Sequence, residues 1–143
     1  RRPVEKVRRQ DGTEVLTSGS DNEIWSYGST AYRILVRYFL RRQELRDYVR
    51  ELMREAHESG IPVMRSMWYE YPHESVCEAL QDQYMFGSRY LVAPVLESGA
   101  RERSVYLPQG IWRNVDDGES LQGGQWIVAP APLDVMPVFE RME

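Results

Sequence analysis

The 143-residue chain is 42% apolar, 11% aromatic and 28% charged, the make-up of a folded globular protein rather than a disordered or fibrous one. Its 18 basic and 22 acidic residues leave a net charge of −4, which argues against general affinity for nucleic acid or anionic lipid. No apolar run approaches the roughly 18 to 20 residues of a membrane-spanning helix. Cys77 is the single cysteine and His57 and His73 the only histidines, so no disulfide framework or zinc module is available, and we expect neither a metal nor a cofactor. The opening Arg1-Arg2-Pro3-Val4-Glu5-Lys6 has no initiator Met and no apolar leader, which leads us to expect a segment from inside a larger gene product, in an intracellular setting.

Residues 1–28 are polar and broken at Asp11-Gly12 and Thr17-Ser18-Gly19-Ser20-Asp21-Asn22, so the expectation there is a long loop. From Ser29 to Ser59 apolar residues recur three and four apart, at Ala31, Ile34, Leu35, Tyr38, Phe39, Leu45, Tyr48, Val49, Leu52, Met53 and Ala56, which predicts one helix. Ser29 or Thr30 can cap its start, Gly60 can take the left-handed position at its end, and Pro62 prevents its resumption. At about 1.5 Å per residue such a helix reaches on the order of 45 Å, more than this chain can cover by itself. On its other face Arg33, Arg37, Arg41, Arg46, Arg50 and Arg54 are diluted by Glu44, Asp47, Glu51, Glu55 and Glu58, the pattern of a solvated face with local ion pairs.

Ile61 to Tyr71 is rich in Val, Met and aromatics and is closed by Pro72, which reads as a strand buried on both sides. Helix, short link and apolar strand form the second half of a βαβ unit, whose useful end is the strand's carboxyl end, here Trp68-Tyr69-Glu70-Tyr71. His73 to Leu80 reads as a short helix with Val76 and Leu80 inward. From Arg89 the texture becomes all-β: strands are expected within Tyr90–Leu96, Ser104–Leu107, Ile111–Val115, Gln125–Val128 and Val135–Phe139, separated by turns at Pro108-Gln109-Gly110, Asp116-Asp117-Gly118 and Gly123-Gly124. Pro137 would confine the last of them to an edge or a bulge. The fold class is α/β followed by an antiparallel sheet or sandwich, with the change near residue 88.

Asn22-Glu23-Ile24-Trp25-Ser26-Tyr27-Gly28, Arg46-Asp47-Tyr48 with Glu51-Leu52-Met53-Arg54-Glu55-Ala56-His57, Gly60-Ile61-Pro62-Val63-Met64-Arg65, Asp82-Gln83-Tyr84-Met85-Phe86-Gly87, Leu91-Val92-Ala93-Pro94-Val95, Val105-Tyr106-Leu107-Pro108 and Gly123-Gly124-Gln125-Trp126 follow one another in an order that resembles the carboxyl-terminal part of glycoside hydrolase family 31. The resemblance implies a retaining α-glycosidase built on a (β/α)8 barrel followed by β-sandwich domains. It implies that residues 1–88 are the last helix–strand units of the barrel, incomplete here, and that residues 89–143 are the proximal sandwich. It also implies a carbohydrate substrate, with no nucleic-acid or membrane partner.

The family's nucleophilic and acid/base aspartates lie on earlier barrel strands, and no motif in this chain resembles either, so no catalytic residue is expected here. Asp116-Asp117 at a turn and Glu102 between two arginines read as solvated acids. What the resemblance places in this chain is sugar recognition. Arg9-Gln10-Asp11-Gly12 is similar to the family's Arg-x-His-Gly, with Asp11 in place of the His and a basic Arg8 before it, which implies a substrate-binding role for Arg9 and Asp11. At the mouth of the eighth strand Tyr69 stands where many α-glucosidases of the family carry a sugar-binding His, beside Trp68. A tyrosine can stack on a sugar or donate one hydrogen bond but supplies no cationic donor, and the α-xylosidase branch also lacks the His. The expectation is therefore an α-xyloside, or another glycoside, ahead of a strict α-glucoside.

The alternative is a non-catalytic structural or carbohydrate-binding β-sandwich module in which Trp112 and Trp126 stack on glycans. Both tryptophans lie in alternating strands, where one face must be buried, so they are expected in the core.

Overall fold

The computed structural model describes residues 5–17 and 23–142. The first four residues of the chain and the part of the breaker cluster at 18–22 lie outside the described residues. The chain divides into two units, residues 1–46 and 47–143.

The first unit corrects the long-loop expectation. β1 (Glu5–Arg8) and β2 (Glu14–Thr17) form an antiparallel hairpin in which Val7 opposes Val15. Its tip is set by local chemistry. Asp11 Oδ1 accepts from Thr13 N (2.9 Å) and Thr13 Oγ1 (2.6 Å), while Gly12 takes φ +84° in the left-handed region and donates to Arg9 O at 2.9 Å. A 3-10 turn at Ile24–Tyr27 then leads into α1 (Gly28–Glu44). Ser29 and Thr30 lie inside the first turn rather than capping it, because the cap position falls at Tyr27. None of the residues of α1 is buried, and Phe39 and Leu40 are more than half exposed.

The expected single helix is interrupted at Leu45, where ψ is 0° instead of the helical value near −42°. α2 (Arg46–Ser59) follows, and Gly60 ends it at φ +74°, donating to Ala56 O at 3.0 Å. Its charged face carries exposed pairs, Arg50 with Asp47 and Arg54 with Glu51.

In the second unit the apolar segment after α2 is shorter as a strand than expected. β3 covers Met64–Ser66 only, and Met67–Glu70 closes into a single helical turn, α3. α4 (Ser75–Ala79) places Cys77 in the core, with Val76 and Leu80 packed against it. Then come β4 (Tyr84–Phe86), β5 (Tyr90–Val92), β6 (Glu102–Leu107), β7 (Ile111–Asn114), β8 (Ser120–Gln122), β9 (Gln125–Pro130) and β10 (Val138–Met142).

One six-stranded antiparallel sheet has the order β3-β4-β5-β10-β7-β8, and β6 pairs with β9 in a second sheet. β10 therefore sits in the middle, between β5 and β7, and not at the edge that Pro137 suggested. The proline avoids the ladder by preceding the strand, and its carbonyl accepts from Ala93 N at 3.0 Å. Met85, Leu91, Trp112 and Phe139 from the large sheet and Val105, Leu107 and Ala129 from the small one share a single buried cluster. Gln83 ties the sheets further: its amide exchanges two hydrogen bonds with Tyr106 N and O (3.0 and 2.8 Å), satisfying a buried polar side chain.

Candidate functional site

At the carboxyl end of β3, the Ser66 hydroxyl accepts from Tyr69 N (3.2 Å), and Tyr71 N donates to Met67 O (2.9 Å). A serine followed by residues with no strand partner thus nucleates a helical turn, which changes the geometry expected of a strand. Residues two apart on a strand share a face, whereas on a helical turn they diverge by about 200°. Met67 is accordingly fully buried in the core, while Tyr69 and Trp68 project outward, 46% and 55% exposed.

The turn is held from outside by a buried arginine. Arg65, 6% exposed, donates through Nε to Pro62 O (2.9 Å), through Nη2 to Glu55 Oε2 on α2 (2.9 Å) and through Nη1 to Glu70 Oε2 on α3 (3.1 Å). The amino-acid pattern marks none of Arg65, Glu55 and Glu70 as a site residue, and Glu55, expected on a solvated face, instead reaches this buried arginine. The one signal that could have found them is an arginine inside an otherwise apolar strand, which must bring its own counter-charges.

Behind the turn, three buried side chains titrate above their ordinary values. Burial pushes the Tyr71 hydroxyl up to about 12. Burial, then the hydrogen bond to Glu74 (Tyr106 Oη donating, 2.9 Å), pushes Tyr106 up to about 12. Burial and the nearby Glu74 charge push the Cys77 thiol up to about 11.

Trp68 and Tyr69 are brought together on α3 in the second unit; Arg9 and Asp11 are brought together at the hairpin tip of the first. Arg9 is exposed there, and the carboxyl of Asp11 is held below its ordinary value by the Thr13 hydroxyl and then the Thr13 amide. Of the two sandwich tryptophans, Trp112 is fully buried with Nε1 donating to Pro108 O (2.7 Å), whereas Trp126 is 53% exposed, correcting its expected core placement. In the pairing of β6 with β9, Trp126 opposes Tyr106 and rests against its ring, leaving its other face open.

Asp117 accepts from Asn114 Nδ2 and Glu119 N and so closes the β7–β8 turn. Among the described residues no group of three or more His, Cys, Asp or Glu side chains comes together as a metal site would require. A groove of about 470 Å³ beside Pro94, Leu96 and Arg103 is lined by none of Arg9, Asp11, Trp68 and Tyr69.

Residues 60–143, which carry α3, the large sheet and the small one, match the model of the glycosyl hydrolase family 31 C-terminal domain. The chain belongs to glycosyl hydrolase family 31. It is 35% identical over 117 residues to alpha-glucosidase 2 of Bacillus thermoamyloliquefaciens, an alignment spanning 82% of this chain and 15% of that protein. It is 39% identical over 105 residues to isomaltosyltransferase of Sporosarcina globispora, spanning 73% of this chain and 10% of that one. Among solved structures, a family 31 alpha-xylosidase from a soil metagenome, complexed with xylose, superposes with a TM-score of 0.88 at 43% identity, covering 98% of this chain and 21% of that chain. The chain thus spans between 10% and 21% of the length of these family members.

Proposed function

We propose that the chain is the carboxyl-terminal portion of a retaining α-glycosidase that hydrolyses α-xylosides or α-glucosides, and that its own contribution is sugar recognition rather than bond cleavage. In this reading residues 1–88 complete a (β/α)8 barrel, residues 89–143 are the proximal β-sandwich, and the nucleophilic and acid/base aspartates stand on barrel strands outside this chain. The observation that carries the reading is the outward-facing Trp68–Tyr69 pair on a turn pinned to the carboxyl end of β3, the end at which barrel active sites form. It is supported by the 98% coverage of the chain by an α-xylosidase complexed with xylose. It is supported also by the place of β3 at the edge of its sheet, where among the described residues it pairs with β4 alone, leaving a side for a neighbouring barrel strand.

In the reaction, two carboxylates perform the double displacement, one forming the glycosyl-enzyme and the other acting as acid and then base. Tyr69, with Trp68 beside it, stacks on the sugar or donates one hydrogen bond to it, and Arg9 and Asp11 are substrate-binding residues in the same proposal. The absence of a cationic donor at Tyr69 favours α-xyloside. The test replaces the matching segment of the soil-metagenome α-xylosidase with residues 1–143 and measures hydrolysis of aryl α-xylosides and α-glucosides, beside the 143-residue chain alone. The chimera turns over the xyloside faster, and the chain alone turns over neither. Turnover by the chain alone, abolished by a point change within it, overturns the reading.

The second reading, a non-catalytic carbohydrate-binding module, keeps one supporting observation, the open face of Trp126. The burial of Trp112 removes the flat pair of aromatics that such a module would use.

A further inference from the structure

We infer that Arg65 is a positioning residue for sugar recognition: by pairing with Glu70 it fixes the direction in which Tyr69 and Trp68 face the substrate. The inference deepens the reading above and rests on it, since it requires that Tyr69 meets the sugar.

α3 is four residues long, and a single turn has too few internal hydrogen bonds to hold its own shape. Its geometry is decided by what grips it. At the amino end the grip is the Ser66 hydroxyl on Tyr69 N, and in the core it is the buried Met67 side chain. At the carboxyl end it is Glu70, the residue directly after Tyr69, bonded to Arg65. Arg65 is fixed in turn from two further directions, by Glu55 on α2 and by the Pro62 carbonyl in the link before β3.

A planar guanidinium can bond three groups in fixed directions at once, so the turn, the helix and the link are triangulated through one side chain. An ammonium, a single point charge on a flexible stem, cannot do this. The aromatic pair stays half-exposed while all three neighbours in the frame are anchored, which is how a recognition surface is kept oriented before substrate arrives.

The test uses the full-length enzyme proposed above and measures KM and kcat for an aryl α-xyloside, together with the melting midpoint, for Tyr69→Ala, Arg65→Lys, Glu70→Gln and the double variant Tyr69→Ala/Glu70→Gln. Arg65→Lys and Glu70→Gln each raise KM, by about tenfold if the turn shifts by a fraction of an ångström. The double variant is no worse than Tyr69→Ala alone, because Glu70 acts through Tyr69. If Tyr69→Ala raises KM while Arg65→Lys and Glu70→Gln lower only the melting midpoint, the positioning role is overturned and the sugar-contact reading stands. The positioning role is likewise overturned if the effects of Tyr69→Ala and Glu70→Gln multiply in full. If Tyr69→Ala leaves KM unchanged, the sugar-contact reading fails and takes the positioning role with it.

Discussion

Gly87→Ala strikes the point where α2 meets the β4–β5 hairpin, and its cost can be worked from the geometry. Gly87 has φ +60°, which an L-residue adopts at a cost of roughly 1–2 kcal/mol. A Cβ there would lie 2.1 Å from Tyr48 Oη and 2.7 and 2.9 Å from the two methyls of the buried Leu52. Neither neighbour yields freely. Tyr48 Oη donates to Phe86 O (3.0 Å) and accepts from Arg89 N (3.3 Å), each bond being worth about 0.5–1.5 kcal/mol. Overpacking against a buried leucine adds about 1–3 kcal/mol. The expected loss is on the order of 3–8 kcal/mol if both hydrogen bonds are broken. Gly118→Ala is the control: φ is +80° but nothing lies within 4 Å of a Cβ, so it costs only the backbone term of about 1–2 kcal/mol. Urea unfolding of the two variants, followed by circular dichroism, gives both numbers. Equal losses would refute the claim that α2 is locked to the hairpin through this glycine.

Glu140 is buried between Arg89 and Arg113; burial alone would raise its carboxyl, but the hydrogen bonds from Arg113 and then Arg89 prevail and lower it below its ordinary 4.5. Its contribution to stability is therefore complete above about pH 4.5 and is lost as pH falls through the lowered value, so the midpoint measured from pH 6 to 2 should fall less steeply in Glu140→Gln. At the alkaline end the sign reverses. Cys77, Tyr71 and Tyr106 ionise at about 11, 12 and 12 when folded, against ordinary values of 9.0, 10.0 and 10.0, so stability is intact below about pH 9 and declines towards 12. The Cys77 thiol should correspondingly resist Ellman's reagent until the chain is denatured; stoichiometric reaction of the native protein would contradict its burial. Trp112→Ala should cost about 3–5 kcal/mol, and Trp126→Ala, on a half-exposed site, well under that, as read from paired denaturation curves.

Elements with long periods or dense β-branched and aromatic runs were legible from the sequence; those set by single local contacts were not. The 29–59 periodicity identified two helices as one, because the interruption at Leu45 removes no apolar position from the face. The hairpin of β1 and β2 carries no signal in the sequence because its strands are four residues each, mostly charged or polar, and its turn is defined by the Asp11–Thr13 bond rather than by composition. β8 is Ser-Leu-Gln, too short to show alternation. The strand expected to run to Tyr71 stops at Ser66 because one hydroxyl captures Tyr69 N, a contact that competes locally with strand pairing. At the candidate site, Trp68 and Tyr69 could be singled out by their place at the carboxyl end of the expected strand and by the family resemblance, but their exposure could not, because that strand reads as buried on both sides. Their support could not, since Arg65 reaches Glu55 and Glu70 through space, from three different elements. Trp126 was misplaced for a related reason: alternation says that one face of β9 is buried but not which, and the register with β6 puts Trp126 on the open one.

The central claim is that the α3 turn presents a sugar-binding aromatic outward and a core residue inward. The direct measurement is inhibition by xylose, with the melting midpoint, for Tyr69→Ala and Met67→Ala in the full-length enzyme proposed above. Tyr69→Ala should weaken xylose binding by roughly 1–3 kcal/mol, about 5- to 150-fold, with little change in midpoint. Met67→Ala, which removes a fully buried side chain, should cost about 2–5 kcal/mol of stability and leave xylose binding by the folded enzyme near the original value. If Tyr69→Ala lowers the midpoint as far as Met67→Ala does and leaves xylose inhibition untouched, Tyr69 is a packing residue of the intact enzyme and the recognition account is wrong.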